Sequence, residues 1–226
     1  DSRTAMLNWS QVMYAIGAVL GPSVMHLILR IGISWRVGLI VTAIISVMRA
    51  LITCLGIATR REMPVRHDQQ PGHWREVIHD PIVFWLAMGI LLYVGQEMGQ
   101  ASWLAAYFKR DLAASAPMAA SSVSAFWAGI GCGRILAVRL SRYLSDMALI
   151  AWSLAFGAVA QAVLLLVRGE IPAFVAVAFL GFCLGPIWPT IMSRAAATHP
   201  RQSGTVIGVV ASAGCLGGGI FPPVIG

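Results

Sequence analysis

Apolar residues run along this chain in seven long stretches, separated by short polar segments. Each stretch is long enough to cross a bilayer as a helix, which takes about 20 residues. The strands of a membrane barrel alternate in polarity over about 10 residues, and these stretches do not alternate. The pattern therefore predicts seven membrane-spanning helices. They cover Met6–Leu29, Trp35–Ile57, Pro81–Phe108, Met118–Leu140, Met147–Val167, Ile171–Ala195 and Ser203–Ile225.

Composition agrees with this pattern. The chain has 226 residues, of which 58% are hydrophobic and only 11% are charged. Typical soluble domains carry about 25% charged residues, and a soluble core of this size could not bury so much apolar surface. The predicted fold class is an all-α, polytopic membrane protein, a helix bundle of about seven transmembrane helices.

The formal net charge of +7 raises the possibility of nucleic-acid binding, but the basic residues lie between the predicted spans. If Asp1 is cytoplasmic, ten of the 16 basic residues fall on the cytoplasmic side, Arg134 among them, and five fall outside. Arg49 lies within a span; it is a possible partner for Glu97 but is expected to snorkel toward the cytoplasmic surface. Cytoplasmic loops of membrane proteins carry an excess of Arg and Lys, so this orientation is favoured and nucleic acid is not a predicted partner.

Glu97 lies in the middle of the third apolar stretch. A charge at that depth costs roughly 2.5 to 3.5 kcal/mol on insertion scales, so it usually serves a transport pathway or a charge pair. At 100° per residue, one arc of the helix carries Glu97 and most other polar side chains, and the opposite arc is apolar. We expect this helix to line a polar cavity. The polar arc contains Tyr93, Gln96, Glu97, Gln100, Trp103 and Tyr107.

Glycine and proline mark further features. Gly129 and Gly133 lie four residues apart on one helix face, which permits close helix contact. Pro186 and Pro189 interrupt one predicted span, and broken membrane helices usually face protein or a cavity. The residues 16–22 and 216–222 match in register as a repeat six spans apart, a spacing expected of transporters with two six-span halves.

The longest polar segment, residues 59–80, contains Pro64, Pro71 and Gly72 and is predicted to be a cytoplasmic linker between two bundles. Its histidines fit no common metal-ligand spacing. The four cysteines lie singly in different spans, so no disulfide framework, metal site or cofactor is predicted. The predicted domains are residues 1–58, the last two spans of one bundle, the linker 59–80, and residues 81–226, the first five spans of a second bundle.

Several segments resemble the fucose–galactose–glucose/proton symporter family of the major facilitator superfamily. Leu92 to Glu97, with Trp103 and Tyr107, is similar to the seventh span of that family, and Gly185 to Thr190 looks like the tenth. By this resemblance the chain is a fragment of a longer protein, running from span five to span eleven of twelve. The other matching segments are Asn8 with Gln11, Gly17 and Gly21-Pro22 (fifth span), Phe126 to Arg134 (eighth), and Gly217 to Pro222 (eleventh).

The resemblance implies a proton-driven monosaccharide symporter in a bacterial inner membrane, working by alternating access between two bundles. Its partners would be the solute, protons, the lipid bilayer and the spans missing from this chain. It implies a proton-coupling role for Glu97, although the family's principal coupling carboxylates would lie in the missing spans. Substrate contacts are expected at Asn8, Gln11, Gln96, Gln100, Trp103 and Trp188, because amides and indoles suit sugar hydroxyls and ring faces. Gating or structural roles are expected at Gly17, Gly21, Pro22, Gly129, Gly133, Arg134, Pro186, Pro189, Gly217 and Pro222.

Three alternatives remain open from the residues. A drug/proton antiporter of the same superfamily would also carry the pattern Gly17-x-x-x-Gly21-Pro22, although the glycine pair expected after it is replaced by Ser23-Val24-Met25. A membrane enzyme is disfavoured because metalloprotease, nucleophile-elbow and phosphate-loop patterns are absent from the sequence. A non-transporting, truncated membrane protein is the third.

Arg134, Arg139 and Arg142 with Asp146 resemble the superfamily's cytoplasmic gating cluster after span eight.

Overall fold

A computed structural model describes residues 31–59 and 74–226, with helical positions 13, 16–21, 23, 24, 27 and 28 before them. Most of the first predicted span, Met6–Leu29, lies outside the described residues. So do three predicted site residues, Asn8, Gln11 and Pro22, and residues 60–73 of the predicted linker.

The described chain is helical throughout its regular structure. We number the helices with defined bounds in chain order. They are α1 (Trp35–Thr59), α2 (Trp74–His79), α3 (Pro81–Arg110), α4 (Ala116–Leu140), α5 (Asp146–Leu166), α6 (Glu170–Leu184), α7 (Ile187–Thr198) and α8 (Ser203–Ile225), with a 3-10 turn at Pro200–Gln202 before α8.

Six segments of the described chain are long and apolar enough to cross a membrane. Five of them are α1, α3, α4, α5 and α8, and the sixth is Glu170–Thr198, which combines α6 and α7. The sequence prediction is thus confirmed for the last six of its seven spans, with boundaries within three residues. The break at Gly185–Pro186 lies where the prediction expected proline to interrupt a span.

Polar caps place the helix starts. Asp80 caps α3, because its Oδ1 accepts from the backbone N–H of Ile82 at 2.8 Å and Pro81 follows in the first turn. Ser115 and Ser145 cap α4 and α5 in the same way. Side-chain acceptors satisfy the first N–H groups of a helix, which have no partner within it, and a proline in the first turn has no N–H to lose. The polar segments between the spans therefore both end one helix and start the next.

The helices from α3 to α8 form one packed bundle. Its most extensive contacts are between α3 and α8 and between α4 and α6, and α5 packs mainly on α6. The core includes Ile90 on α3, Phe126 and Ile130 on α4, Leu180 on α6 and Val210 on α8, all fully buried. Helix α1 is different, since Gly38 is the one buried residue between Arg36 and Leu55.

The predicted linker is partly helical. Residues 74–79 form α2, which contacts the ends of α3 and α8 and buries Val77 completely. Asp80, directly after α2, lies 3.3 Å from His199 at the end of α7, measured from Oδ2 to Nε2. The predicted linker 59–80 thus contains Thr59, the last residue of α1, and the buried Val77 of α2, and the division of the chain into two bundles stays a prediction.

Candidate functional site

Glu97 lies inside the bundle, paired with an arginine from the next helix. The carboxylate of Glu97 on α3 is 3.7 Å from Nη2 of Arg134 on α4, and both side chains are almost completely buried. The hydroxyl of Tyr93, one turn before Glu97, donates to Oε1 of Glu97 at 3.0 Å. Tyr93 and Arg134 also interact through their side chains. The three residues form a buried polar cluster that joins α3 to α4.

The position of Arg134 corrects a sequence prediction. We expected Arg134 at the cytoplasmic end of α4, in a gating cluster with Arg139 and Arg142. Instead it is buried six residues before the helix ends, while Arg139 and Arg142 are exposed. An arginine stays charged in proteins, so a buried one needs a counter-charge, and Glu97 supplies it. Nine of the predicted cytoplasmic basic residues remain against five outside, which leaves the predicted orientation favoured.

The pair is an ion contact rather than a hydrogen bond. At 3.7 Å the two charges attract, but the distance is longer than a well-formed hydrogen bond. Glu97 is fixed more firmly by Tyr93, which lies on its own helix. Arg49 was the arginine weighed as a partner from the sequence. It is exposed on α1, so the structure gives this role to Arg134.

A small cavity lies one turn beyond Glu97 along α3. Its volume is about 140 Å³, and residues from α3, α5 and the end of α8 line it. Gln100 on α3 donates from Nε2 to Oε1 of Gln161 on α5 at 2.7 Å. The Tyr107 hydroxyl donates to the Leu164 carbonyl at 3.2 Å. Amides offer both donors and acceptors, so a cavity with two of them can bind a polar solute such as a sugar.

The predicted substrate residues divide into two groups. Gln100 and Trp103 line this cavity, whereas Gln96 and Trp188 are not among its lining residues. The indole N–H of Trp103 is engaged by the backbone carbonyl of Pro222 at 2.7 Å, so Trp103 also ties α3 to α8. Trp188 packs beside Gly214 of α8 and contributes to the edge of the core. The polar arc predicted on α3 therefore serves both the buried cluster and the cavity.

The glycines predicted to permit close packing lie at helix crossings. A Cβ added at Gly129 or Gly133 of α4 would collide with the backbone oxygens of Ala178 or Phe182 on α6. On α6, Gly181 and Gly185 face α4 in the same way, next to the carbonyls of Phe126 and Ile130. Both helices contribute a pair of glycines four residues apart, and this brings the two backbones into contact. Gly217 of α8 likewise abuts the carbonyl of Leu91 on α3.

Two prolines break the sixth span beside this crossing. Pro186 and Pro189 have no N–H, so they cannot donate to the carbonyls of Phe182 and Gly185 one turn earlier. Next to the break, the buried Thr190 hydroxyl is satisfied by donating to the Pro186 carbonyl at 2.7 Å. Pro222, by contrast, lies within α8, which continues to Ile225 and does not end at the proline pair.

Gly17 and Gly21 differ from their counterparts in the predicted repeat. Among the described atoms, a Cβ added at either of them would meet nothing within 4 Å, whereas Gly217 is in tight contact. The repeat match therefore pairs Gly217, which is in close contact with α3, with Gly17, which meets none of the described atoms.

Sequence reasoning missed three contributors to the site. Gln161 is a single amide in the apolar span of α5, which is the same signal that identified Gln100. Arg134 was assigned to a cytoplasmic cluster although it lies well within a predicted span. The Gly181–Gly185 pair has the same spacing as Gly129–Gly133, and its recognition would have predicted the α4–α6 crossing.

With this geometry in place, comparison with known proteins identifies the family. Residues 1–222 match the model of the Major Facilitator Superfamily. The chain belongs to this superfamily. No solved structure matches significantly.

Curated proteins are also similar to parts of this chain. Two proteins named "Putative glucose/galactose transporter", from Helicobacter pylori strains J99 and 26695, are 30% and 29% identical to it over 140 and 186 residues. These alignments cover 62% and 81% of the chain but 34% and 44% of the relatives. A Saccharomyces cerevisiae protein named "Bypass of stop codon protein 6" is 25% identical over 169 residues, covering 69% of the chain and 33% of the relative. The chain thus spans less than half the length of the curated relatives it matches.

Proposed function

We propose that the full-length protein transports a monosaccharide together with protons, as a secondary active symporter in a bacterial inner membrane. The family is a transporter family, and two bacterial relatives are named as putative glucose/galactose transporters. The observation that carries the proton part of the proposal is the buried Glu97–Arg134 pair with Tyr93. The sugar part is supported by the cavity one turn away, whose mostly apolar lining includes the two amides Gln100 and Gln161.

The buried pair suggests how proton binding is coupled to movement. When Glu97 is ionised, it balances the charge of Arg134 and holds α3 against α4. When Glu97 takes up a proton, the positive charge of Arg134 is left buried without its counter-charge, which is costly in a bilayer. Arg134 and α4 are then driven to a different arrangement relative to α3. A change of this kind near the solute cavity would favour one orientation of a transporter that alternates access around a central site.

The cavity favours a sugar over a large apolar drug. Its volume of about 140 Å³ is small, and Gln100 and Gln161 supply donors and acceptors that match hydroxyl groups. Binding a hydroxylated solute would require the Gln100–Gln161 hydrogen bond to exchange for bonds to the solute. Spans from the other bundle, including the one that contains Asn8 and Gln11, would complete the site in the whole protein.

The test is transport by the full-length protein in proteoliposomes. We expect an imposed proton gradient to drive accumulation of labelled glucose or galactose by the wild type. Glu97→Gln should abolish this accumulation but retain counterflow, the exchange of labelled for unlabelled sugar, because exchange requires no net proton movement. Asp111→Asn, which changes an exposed carboxylate directly after the last residue of α3, is the matched control and should behave as wild type.

Each alternative outcome has a distinct meaning. Accumulation that survives Glu97→Gln would reject the coupling role of Glu97 while keeping sugar transport. A folded, full-length wild type that neither accumulates nor exchanges any monosaccharide would reject the sugar proposal. In that case proton-driven efflux of a hydrophobic cation would be the assay for the antiporter alternative.

A further inference from the structure

A second cavity of the bundle lies outside the candidate transport site. Its volume is about 310 Å³, and it lies between the second half of α4 and the first half of α5, with the end of α6 as its floor. Leu136 and Leu140 line one wall. Trp152 and Phe156 line the other, with their rings stacked 5.6 Å apart. The lining is almost entirely apolar, so a polar solute has nothing to bind there.

The open side of this groove is exposed rather than covered by protein in the described structure. Leu136, Trp152 and Phe156 are between 40% and 56% exposed. Helices α4 and α5 make little direct contact, since both pack mainly on α6. A groove of this kind in a bilayer is open to acyl chains from the side.

Positive charge lies at one end of the groove. The turn Ser141–Ser145 joins α4 to α5, and Leu140 just before it and Leu144 within it line the groove. Arg139 and Arg142 are both exposed in this short region, and Asp146 offsets one of the two charges. By the predicted orientation this end faces the cytoplasm. Arginine forks match phosphate oxygens well, and basic pockets between membrane helices on this side bind anionic headgroups.

We propose that this groove is a binding site for an anionic phospholipid of the cytoplasmic leaflet. One acyl chain lies between the Leu136–Leu140 wall and the Trp152–Phe156 wall, and the phosphate is bound by Arg139 and Arg142. Charge complementarity selects an anionic headgroup over a zwitterionic one. The site is separate from the Glu97 cluster and the proposal does not depend on the transported solute.

Photolabelling of the full-length protein in proteoliposomes tests the proposal. The probe is phosphatidylglycerol with a diazirine in one acyl chain, compared with phosphatidylcholine carrying the same chain. Mass spectrometry of peptides then locates the labels. We expect labels in residues 136–144 and 149–156, several times more with phosphatidylglycerol than with phosphatidylcholine.

Matched variants separate a specific site from general charge. Arg139→Gln with Arg142→Gln should lower labelling of these peptides by phosphatidylglycerol by about five- to thirtyfold, if each arginine contributes as juxtamembrane basic residues do. Arg168→Gln, an exposed arginine at the opposite end of α5, should leave it unchanged. Thermal unfolding confirms that each variant is folded.

Three results would overturn the proposal. Equal labelling by both lipids would indicate bulk lipid. Equal loss in the Arg168→Gln control would indicate a general effect of charge. Absence of labels from both peptides in the folded wild type would indicate that another span or a second copy of the chain covers the groove.

Discussion

Helix α1 and the bundle from α3 to α8 both consist of apolar helices, but their surroundings are opposite. Both are apolar enough to span a membrane. Between Arg36 and Leu55, α1 exposes every residue except Gly38, including Ile44, Ile52 and Leu55. In α3, Ile90, Tyr93 and Glu97 are buried against neighbouring helices. Hydrophobicity therefore identifies a membrane span but does not say which partners it has.

The small and polar residues account for the difference. The bundle contains glycines at helix crossings and polar groups that reach between helices, such as Glu97 with Arg134 and Gln100 with Gln161. In membranes these contacts replace the hydrophobic effect, because lipid tails are as apolar as leucine. The hydroxyls of Thr42, Ser46 and Thr53 on α1 donate to carbonyls of α1 itself. That α1 belongs to a different bundle stays a prediction.

The largest effect that we expect comes from breaking the buried charge pair. Glu97→Gln leaves Arg134 charged without its counter-ion and should lower the free energy of unfolding by about 3 to 5 kcal/mol. Arg134→Gln should cost less, because the remaining carboxyl can become neutral by binding a proton. The double variant should recover part of the loss. Thermal unfolding of the full-length protein in detergent, with a double-mutant cycle, measures all three.

Arg49→Gln is the control for this pair from the other region. Arg49 is exposed on α1, so its loss should change stability by less than about 0.5 kcal/mol. A cost similar to that of Arg134→Gln would mean that α1 carries a buried charge pair of its own in the whole protein. The contrast between the two regions would then be limited to the part of the chain described.

A matched pair of isoleucines compares the regions directly. Ile90 on α3 is fully buried, whereas Ile52 on α1 is 66% exposed. Ile90→Ala should cost about 2 kcal/mol, at the low end for such changes, because the cost in a bilayer comes from lost packing more than from transfer out of water. Ile52→Ala should cost close to nothing. Equal losses for the two variants would contradict the exposure of α1 and indicate partners in the full-length protein.

The sequence predicted the spans well because each one needs only length and apolar content. It predicted less well which helices contact one another, because such contacts depend on how the helices pack. The Gly129–Gly133 pair predicted a close crossing, but its partner glycines on α6 were not recognised. From the sequence, Arg49 was a possible partner of Glu97 but was expected to snorkel to the cytoplasmic surface, and Arg134 was not considered for this role, because distance along the chain says little about which buried charges meet. The pairing with Arg134 follows from the antiparallel packing of α3 and α4, which the structure supplies.

Some residues of the candidate site could likewise be predicted from the sequence and others could not. Gln100 and Trp103 were predicted from their positions on one helix arc, and both line the cavity. Gln161 was missed because α5 has little periodicity and its one amide did not form part of an arc. Trp188 was predicted to contact substrate, but its place is decided by Gly214 of α8, which leaves room for the indole against that helix. Such complementarity between distant segments cannot be read from either segment alone.

The smallest effect concerns the two glycines of the predicted repeat. Gly217→Ala should lower the free energy of unfolding by about 1 to 2 kcal/mol, because the new methyl group would collide with the Leu91 carbonyl and push α8 away from α3. Among the described residues, the methyl group of Gly17→Ala meets nothing, so this change should be neutral or slightly stabilising, since alanine favours helix over glycine. Thermal unfolding of the full-length variants distinguishes them. If Gly17→Ala proves as costly as Gly217→Ala, the repeat is also structural, and spans outside this chain pack against Gly17 as α3 packs against Gly217.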